Sequence, residues 1–253
     1  MAGEVGVLLL VDVARRARVW GAAQFLRNRS DLPRVPGLTF HKVMGSGHEG
    51  GFGLRPSLSS VGLFCAFQDD DCAQAFLEDH ALPRAYRDRA REFFTVRLRP
   101  CSNRGSWNGS TPFTPWAEVP AAGPVAALTR ASIHPMRATA FWRHSPPAEA
   151  SLRAARGCLM AVGLGEAPLL RQATFSIWAS LEAMQAYARS GAHGAAARAA
   201  AQEGYFTESM FTRFAPYELR GSWKGCSAAA VEASRPAPWL PIASPSSAPA
   251  SAA

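Results

Sequence analysis

A histidine in the second half of the chain has the residue type and setting of a metal ligand. The segment from Ser190 to His193 is followed by an alanine-rich stretch, and Ser190 is a residue type that caps helices. This pattern predicts a helix with His193 in its first turn, where the helix dipole disfavours the protonated, non-ligating imidazole. Alanine methyl groups on that helix would let a flat macrocycle approach closely. The alternative is a solvent-exposed histidine on an ordinary alanine-rich helix.

A second group of polar residues surrounds a glycine-rich stretch that begins at Gly45. On a strand, Lys42 shares one face with Phe40 and Met44. If that face is buried, the lysine must meet a carboxylate, a propionate or a substrate. The alternative is a lysine at the rim of the fold whose ammonium reaches water. The stretch lacks the G-x-G-x-x-G spacing and the following helix of a dinucleotide-binding loop, so we do not predict nucleotide binding.

Other catalytic patterns are missing from the sequence. No Ser-His-Asp order, H-E-x-x-H motif or close carboxylate pair occurs, so hydrolase chemistry has no candidate residues. His134 and His144 are possible ligands of a non-haem iron, but their spacing specifies no metal site. Phe175 and Trp178 are expected in the core, and only secondarily as walls of a cofactor pocket.

The composition favours a soluble protein with free thiols. The chain has 253 residues, 48% of them hydrophobic, and a formal net charge of +8. The basic residues are scattered, and all except Lys42 and Lys224 are arginine, so nucleic-acid binding is not expected. The five cysteines form no C-x-x-C pair, which favours the cytoplasm. No signal peptide or membrane span is predicted, so contact with the inner membrane would be peripheral at most.

The sequence contains an internal duplication. The pentapeptide GSWNG from Gly105 recurs as GSWKG from Gly221, and the stretch from Phe40 lies opposite the one from Cys158. Each half is long enough for one compact α+β module. We therefore assign an N-terminal module to residues 1–115, a C-terminal module to 116–226 and a disordered Ala/Pro/Ser tail to 227–253.

Each half has the order strand, helix, strand, strand, helix, strand, which is the ferredoxin-like arrangement. The predicted strands cover residues 5–13, 38–44, 60–67, 93–98, 125–133, 158–162, 172–178 and 210–214. The stretch from Gly45 is expected to be a loop, and Asp69 or Asp70 should cap a helix that runs toward Arg91 with a break at Pro83. Each sheet has one face without helices, and packing those faces together gives a single α+β barrel.

Several longer stretches resemble one known family. They are GPVAALTRASIHP from Gly123, GLGEAPLLRQATFSIW from Gly163, ARSGAH ending at His193, and the GSW tripeptide in both halves. These stretches are similar to the spheroidene monooxygenases, carotenoid-ketolating enzymes of phototrophic bacteria, across residues 5–225. The resemblance supports the barrel and implies a haem-dependent oxygenase. Such an enzyme would use dioxygen, an apolar small-molecule substrate and electrons from reduced ferredoxin or a similar carrier.

The resemblance also implies roles for individual residues. His193 becomes the candidate proximal ligand of the iron in haem b. Lys42, Gly45, Ser46 and Gly47 match the family's K-x-x-G-S-G segment and become candidates for the opposite wall. Within that wall, Lys42 and Ser46 are the polar groups expected to orient the ligand on the iron.

Further candidates complete the expected haem pocket. Phe175 and Trp178 are candidate walls, and Arg104, Arg130 and Arg137 are candidate partners of the haem propionates. The leading hypothesis is a monooxygenase of carotenoid or other secondary metabolism. A second hypothesis keeps the haem but binds a substrate heteroatom to iron and catalyses dehydration, as in aldoxime dehydratases, or N–N bond chemistry. A third is a non-catalytic barrel that binds haem or a small molecule.

Overall fold

The computed structural model describes residues 3–51, 55–167 and 169–235, and its long strands form one antiparallel barrel. Aliphatic and aromatic runs form these strands because such side chains suit sheets that are covered on both faces. The barrel strands are β1 (Val5–Val13), β2 (Leu38–Gly47), β3 (Pro56–Phe67), β4 (Ala90–Gly105), β5 (Val125–Ile133), β6 (Cys158–Ala167), β7 (Arg171–Trp178) and β8 (Phe206–Trp223). Their order is β4-β1-β3-β2-β6-β7-β5-β8, and β4 pairs with β8 to close the barrel. The predicted α+β barrel of two ferredoxin-like modules is confirmed.

Helices cover the outer surface of the barrel. They are α1 (Arg18–Asp31), α2 (Asp70–Glu78), α3 (Ala81–Arg87), α4 (Ala138–Arg153), α5 (Leu181–Arg189) and α6 (Gly191–Glu203). Asp69 caps α2 as predicted, because its side chain accepts a hydrogen bond from the Cys72 amide at 2.8 Å. The predicted break at Pro83 is wrong. The chain breaks before Ala81, and Pro83 lies in the first turn of α3, where its missing N–H costs no hydrogen bond.

The two modules also meet along β2 and β6. Gly45 pairs with Gly165 and Ser46 pairs with Leu164, so β2 continues to Gly47. The prediction of a loop from Gly45 is therefore wrong for its first three residues. Glycine-rich sequence favours a loop within one module, but here pairing with β6 of the other module supplies the backbone hydrogen bonds of a strand. Residues 52–54 of the same stretch lie outside the described residues.

The duplication is visible in the backbone of the two GSW turns. Gly105 has φ +84° and Gly221 has φ +82°. A Cβ atom at Gly105 would lie 2.0 Å from the Ser209 carbonyl oxygen, and one at Gly221 would lie 1.9 Å from the Phe93 carbonyl oxygen. Only glycine fits such a close approach of two backbones at positive φ. The two glycines therefore lie at equivalent positions, one at each end of the β4–β8 pair.

Strand register corrects one alignment of the duplication. Leu38 pairs with Phe67 and Cys158 pairs with Trp178, each at the start of its strand. Cys158 is therefore equivalent to Leu38, whereas the sequence comparison placed it opposite Phe40. Short glycine-rich stretches align equally well in several registers, so hydrogen bonding was needed to fix this one.

The start of the predicted disordered tail is folded. Cys226–Ser227 form a short strand, β9, on β8, and Ala228–Ala233 form helix α7. The Ser227 hydroxyl caps α7 by accepting from the Ala230 amide at 3.1 Å. Val231 is fully buried in the cluster that fills the barrel. Composition alone did not reveal this helix, because one valine provides its docking; residues 236–253 lie outside the described residues.

Val231→Ala should lower the free energy of unfolding by about 1–3 kcal/mol, because two methyl groups leave a packed site. Urea unfolding followed by tryptophan fluorescence measures the change. Glu232→Ala, at the exposed neighbouring position of α7, is the matched control and should change stability by less than about 0.5 kcal/mol. Equal effects of the two substitutions would show that α7 does not dock in the barrel.

Candidate functional site

The interior of the barrel is a packed core. Buried side chains from both modules fill it, among them Phe64, Trp107, Phe113, Phe175, Phe214 and Trp223. Their rings lie edge to face or stacked, as between Phe64 and Trp107 at 5.9 Å and Phe113 and Phe214 at 5.2 Å. Phe175 is thus a core residue. Trp178, three positions further along β7, lies on the opposite face of the strand, so one cofactor cannot contact both.

Lys42 lies on the inner face of β2, the face it shares with Phe40 and Met44. Its Nζ atom is 3.5 Å from Oε2 of Glu166 and lies over the rings of Phe40 and Trp107 at 5.1 and 5.8 Å. The indole N–H of Trp107 donates to Oε1 of Glu166 at 2.6 Å. The lysine therefore meets a carboxylate on a buried face, which was one of the expected outcomes.

Arg130 is the most deeply buried cation of this inner cluster, with 1% of its side chain exposed. It forms an ion pair with Glu208, donates to Oδ1 of Asn108 at 3.1 Å, and lies 5.7 Å from the Trp107 ring. Its charge is thus already compensated inside the barrel. Arg130 does not fit the predicted role of a propionate partner, because the sheet separates it from the helices on the outside.

Glu208 connects this cluster to the first GSW turn. Its carboxylate accepts from the Gly109 amide at 2.8 Å, the Ser106 hydroxyl at 2.7 Å and the Asn108 amide at 3.1 Å. Burial alone would raise the pKa of Glu208, but these hydrogen bonds and Arg130 lower it to about 2. Sequence reasoning missed Glu208, although its equivalence to Glu92 in the duplication was a signal. Glu92 accepts in the same way from the Lys224 amide at 2.9 Å.

The outer face of the second module differs from that of the first at equivalent positions. In the first module, Leu63 of β3 lies between Leu9 and Val43, and all three are buried under helices. In the second module, Thr174 of β7 lies in the same way between Thr129 and Gly163.

The substitution of small for large side chains leaves space above this sheet. Thr129 and Thr174 are half-buried although they lie on the helix-covered face, and so are Ala127 and Ala161 on the neighbouring positions. Fully packed interiors leave few voids larger than a water molecule. We call this surface of β5, β6 and β7 the outer floor. Only a position-by-position comparison of the two halves would have revealed it from sequence.

His193 lies in the first turn of α6, as predicted, on the same side of the sheet as the outer floor. Its ring stacks on Tyr187 at 4.6 Å, and Tyr187 packs against Trp178 of β7 at 5.1 Å. Burial lowers the pKa of His193, which favours the neutral imidazole. In the described part of the chain neither ring nitrogen has a hydrogen-bond or ion-pair partner. Ser190 occupies the N-cap position of α6 as predicted, but its hydroxyl does not cap the helix and donates to the Ala186 carbonyl of α5 at 2.7 Å instead.

The remaining candidates divide between the two sides of the sheet. The Arg104 guanidinium lies beside the Phe211 ring at 5.7 Å, and Phe211 pairs with Thr129 on the outer floor. Arg137 is exposed in the turn before α4. Ser46 is buried and its hydroxyl donates to the Gly163 carbonyl at 2.7 Å. The structure thus brings Arg104 toward the side of His193.

Lys42 does not join that group of residues. Its inner-face position contradicts the prediction of a wall opposite His193, because the strands stand between them. Gly45 and Gly47, like Ser46, belong to the junction of β2 with β6. The K-x-x-G-S-G segment therefore belongs to the barrel strand β2 and its junction with β6, and it does not line the outer floor.

A metal site built from several side chains and a membrane-spanning helix are both absent from the described residues. Among the described residues, no three or more His, Cys, Asp or Glu side chains group as a metal site. The helices in the described ranges include none with the length and hydrophobicity needed to cross a membrane.

These features define a class of protein: a barrel of two ferredoxin-like modules in one chain, with a packed interior. On one module the outer floor is only half-buried, and we call the accessible space between it and the helices the hollow. Solved structures of the same fold include an aldoxime dehydratase, with TM-score 0.55 and 12% identity over 85% of this chain and 81% of that one. An aldoxime dehydratase in complex with butyraldoxime gives TM-score 0.52 and 12% identity, covering 85% and 79%. Identity this low establishes the fold alone.

Sequence relatives define the family. The chain is 51% identical over 223 residues to the spheroidene monooxygenase of Rubrivivax gelatinosus, covering 88% of this chain and 86% of the relative. It is 37% identical over 209 residues to that of Rhodobacter capsulatus, covering 81% and 87%. No protein-family model matches the chain. The chain belongs to the spheroidene monooxygenase family, and it is an enzyme of the monooxygenase class.

Glu208→Gln should destabilise the fold by about 3 kcal/mol, because Arg130 keeps its buried charge and loses its partner. The folded-state pKa of Glu208 lies below its ordinary value of 4.5, so its contribution is complete above that pH and disappears as the pH falls toward about 2. The variant should lack this part of the acid dependence.

Urea unfolding between pH 7 and pH 3 measures both effects. The matched control is Glu92→Gln at the equivalent turn, where Lys224 is 30% exposed and the loss should stay below about 1 kcal/mol. Equal losses at the two turns would contradict the importance of the buried arginine.

Proposed function

We propose that the chain is a haem-dependent monooxygenase that inserts one oxygen atom of dioxygen into an apolar substrate of the carotenoid type. The second oxygen atom would leave as water, with two electrons from a reduced ferredoxin-like carrier and two protons. The observation that carries the proposal is the outer floor, a set of small, half-buried residues on the helix side of β5, β6 and β7 where the first module has large ones. The names of the relatives support the reaction class and suggest the substrate class.

The residues around the outer floor fit a planar iron porphyrin. His193 offers a half-buried imidazole whose nitrogens have no polar partner in the described chain, and burial lowers its pKa in favour of the neutral form, so this residue would hold the haem iron. Ala127, Ala161 and Gly163 present little side-chain volume to a flat group. Arg104 has the charge to pair with a propionate at the exposed edge. When bound, haem b would supply the activation of dioxygen.

The protein's own groups have three tasks in this proposal. Tyr187 holds the His193 ring by stacking, which fixes the orientation of the imidazole. Thr129 and Thr174, paired across β5 and β7, offer hydroxyl groups on an otherwise apolar floor. They replace Lys42 and Ser46 as the groups expected to orient an oxygen-containing ligand. With a bound group covering the outer floor, the helices would exclude water, which strengthens each polar interaction beneath them.

The dehydration hypothesis uses the same hollow and differs in its cofactors. A dehydratase needs neither dioxygen nor external electrons, so consumption of both during turnover separates it from a monooxygenase. The likeness to aldoxime dehydratase concerns the fold and does not favour that reaction here.

His193→Ala should abolish stable haem binding, because the proposed axial ligand is lost. Purified protein is reconstituted with haemin, gel filtered and examined by visible absorption, which is a measurement independent of activity. The control is His134→Ala, at an exposed histidine before α4, which should leave the spectrum unchanged. Retention of the wild-type haem band by the His193 variant would overturn the assignment of the ligand.

Filling the outer floor should also prevent haem binding. The double substitution Ala127→Val and Thr129→Leu installs the residues that the first module has at the equivalent Val7 and Leu9. We expect at least about a tenfold weaker haem affinity with an unchanged or higher melting temperature, since the added groups fill space. Thr207→Leu, at an exposed position of β8, is the control for added hydrophobic volume. Unchanged haem affinity in the double variant would place the cofactor elsewhere.

A further inference from the structure

A basic cleft opens at the end of the barrel away from Glu208. It has a volume of about 470 Å³ and lies where β1 ends and β3 and β4 begin. Five cationic side chains line it: Arg15, Arg18, Arg55, Arg91 and Lys224. The proposed oxygenase reaction uses none of them. The cleft is therefore a separate feature that needs its own explanation.

Two of these cations are neutralised within the protein. Asp12 is buried at the base of the cleft, 2.5 Å from Nη2 of Arg91 and 2.9 Å from Nζ of Lys224. Lys224 also lies 3.1 Å from Oε2 of Glu92. Burial opposes the charged form of Asp12, but hydrogen bonds from Lys224, Ser59 and Arg91 and the charge of Lys224 outweigh it and lower the pKa of Asp12, so this carboxylate stays charged.

The other three cations have no such partner. Within residues 3–51, 55–167 and 169–235, no carboxylate forms an ion pair with Arg15, Arg18 or Arg55. The Nε atom of Arg18 is buried and has no hydrogen-bond acceptor. A buried donor without an acceptor is costly unless a ligand or water satisfies it. The uncompensated charge and the free donor both favour an anion.

The duplication shows that four of these cationic positions are uncharged at the other end of the barrel. Arg15 and Arg18 are equivalent to Pro135 and Ala138, because the turn before α1 and the turn before α4 follow equivalent strands. Arg91 and Lys224 are equivalent to Thr207 and Asn108, as the pairing of Glu92 and Glu208 with their turns establishes.

The opposite end of the barrel thus carries uncharged residues at all four positions. That end has cations of its own at other positions, since Arg137 and Arg171 are equivalent to Ala17 and Ser60. The case for a built site therefore rests on the guanidinium groups of the cleft that are unpaired in the described chain and on the buried Nε atom of Arg18.

We propose that this cleft binds a phosphate group. Three uncompensated guanidinium groups match the charge and the acceptor oxygens of a phosphate, and their planar N–H pairs suit two-point hydrogen bonding. The first turn of α1, at Arg18, adds the positive end of a helix dipole.

The Ser60 hydroxyl adds one further donor, because the Ser57 hydroxyl donates to Ser60 and the Ser59 hydroxyl bonds to Asp12. Ser57, Ser59 and Ser60 line the cleft, and the Ser57 hydroxyl already accepts from the Ser60 amide at 3.1 Å and donates to the Ser60 hydroxyl at 2.9 Å. Leu58, between them, is 80% exposed at the rim. A phosphate could belong to a soluble phosphorylated molecule or to a lipid headgroup, and an apolar rim is compatible with either.

Binding is tested on the full chain with two probes at low ionic strength. Inorganic pyrophosphate is titrated by calorimetry, and phosphatidylglycerol vesicles are tested by co-sedimentation against phosphatidylcholine vesicles. We expect the double variant Arg15→Gln/Arg55→Gln to bind the active probe at least about tenfold more weakly. Arg16→Gln, an exposed arginine outside the cleft, should stay within about twofold of wild type. Thermal unfolding confirms that each variant is folded.

The results decide whether the cleft binds phosphate and whether that phosphate belongs to a soluble molecule or to a lipid. Binding of pyrophosphate alone identifies a soluble phosphorylated ligand, and binding of phosphatidylglycerol vesicles alone identifies a lipid headgroup. If wild-type protein binds neither probe, the proposal is wrong. It is also wrong if the Arg16 control weakens binding as much as the double variant, because the attraction would then be non-specific. Arg18→Gln provides a further check, and unchanged affinity in that variant would contradict the role of its buried Nε atom.

Discussion

The pairing of β4 with β8 closes the barrel within a single chain, and the rest of the structure depends on it. At each end of this pair a GSW turn passes back over the barrel and a glutamate accepts its backbone amides: Glu208 at one end and Glu92 at the other. The tryptophans of the two turns fill the interior. Barrel closure therefore buries the inner faces of both sheets in the packed core. Only the outer faces and the barrel ends remain accessible to a ligand.

The two modules differ at residues that do not take part in barrel closure, namely those on the outer faces of their sheets. The first module keeps Leu9, Leu63 and Val43 as a packed layer under its helices. The second has Thr129, Thr174 and Gly163 there and gains a hollow. The barrel end that carries Glu92 also differs, because its cleft holds three guanidinium groups without a carboxylate partner in the described chain. The proposed cofactor site and the proposed anion site would thus use different parts of the duplicated fold.

Much of the fold could be predicted from sequence, because local patterns determine it. The bounds of Val5–Val13 and Val125–Ile133 are as predicted, since a continuous aliphatic run between turn residues specifies a buried strand. The candidate site was harder to predict from the sequence than the fold. Whether Lys42, Arg130 or Phe175 faces the interior depends on strand pairing across the two modules, which no single segment encodes. Val231 shows the same limit, because one docked side chain orders a segment that composition marks as disordered.

The hollow has an energetic consequence for the second module. Its outer cluster of fully buried residues consists of Val125, Leu152, Trp178 and Met184, whereas the first module buries a continuous layer from β1, β2, β3 and three helices. Fewer buried apolar contacts mean that α4, α5 and α6 open at a lower free-energy cost than the helices of the first module. A ligand that binds only the closed arrangement would stabilise it in proportion to the logarithm of its concentration over its dissociation constant. The packed first module and the closed barrel can hold the fold while the second module remains adaptable enough to admit a large planar cofactor.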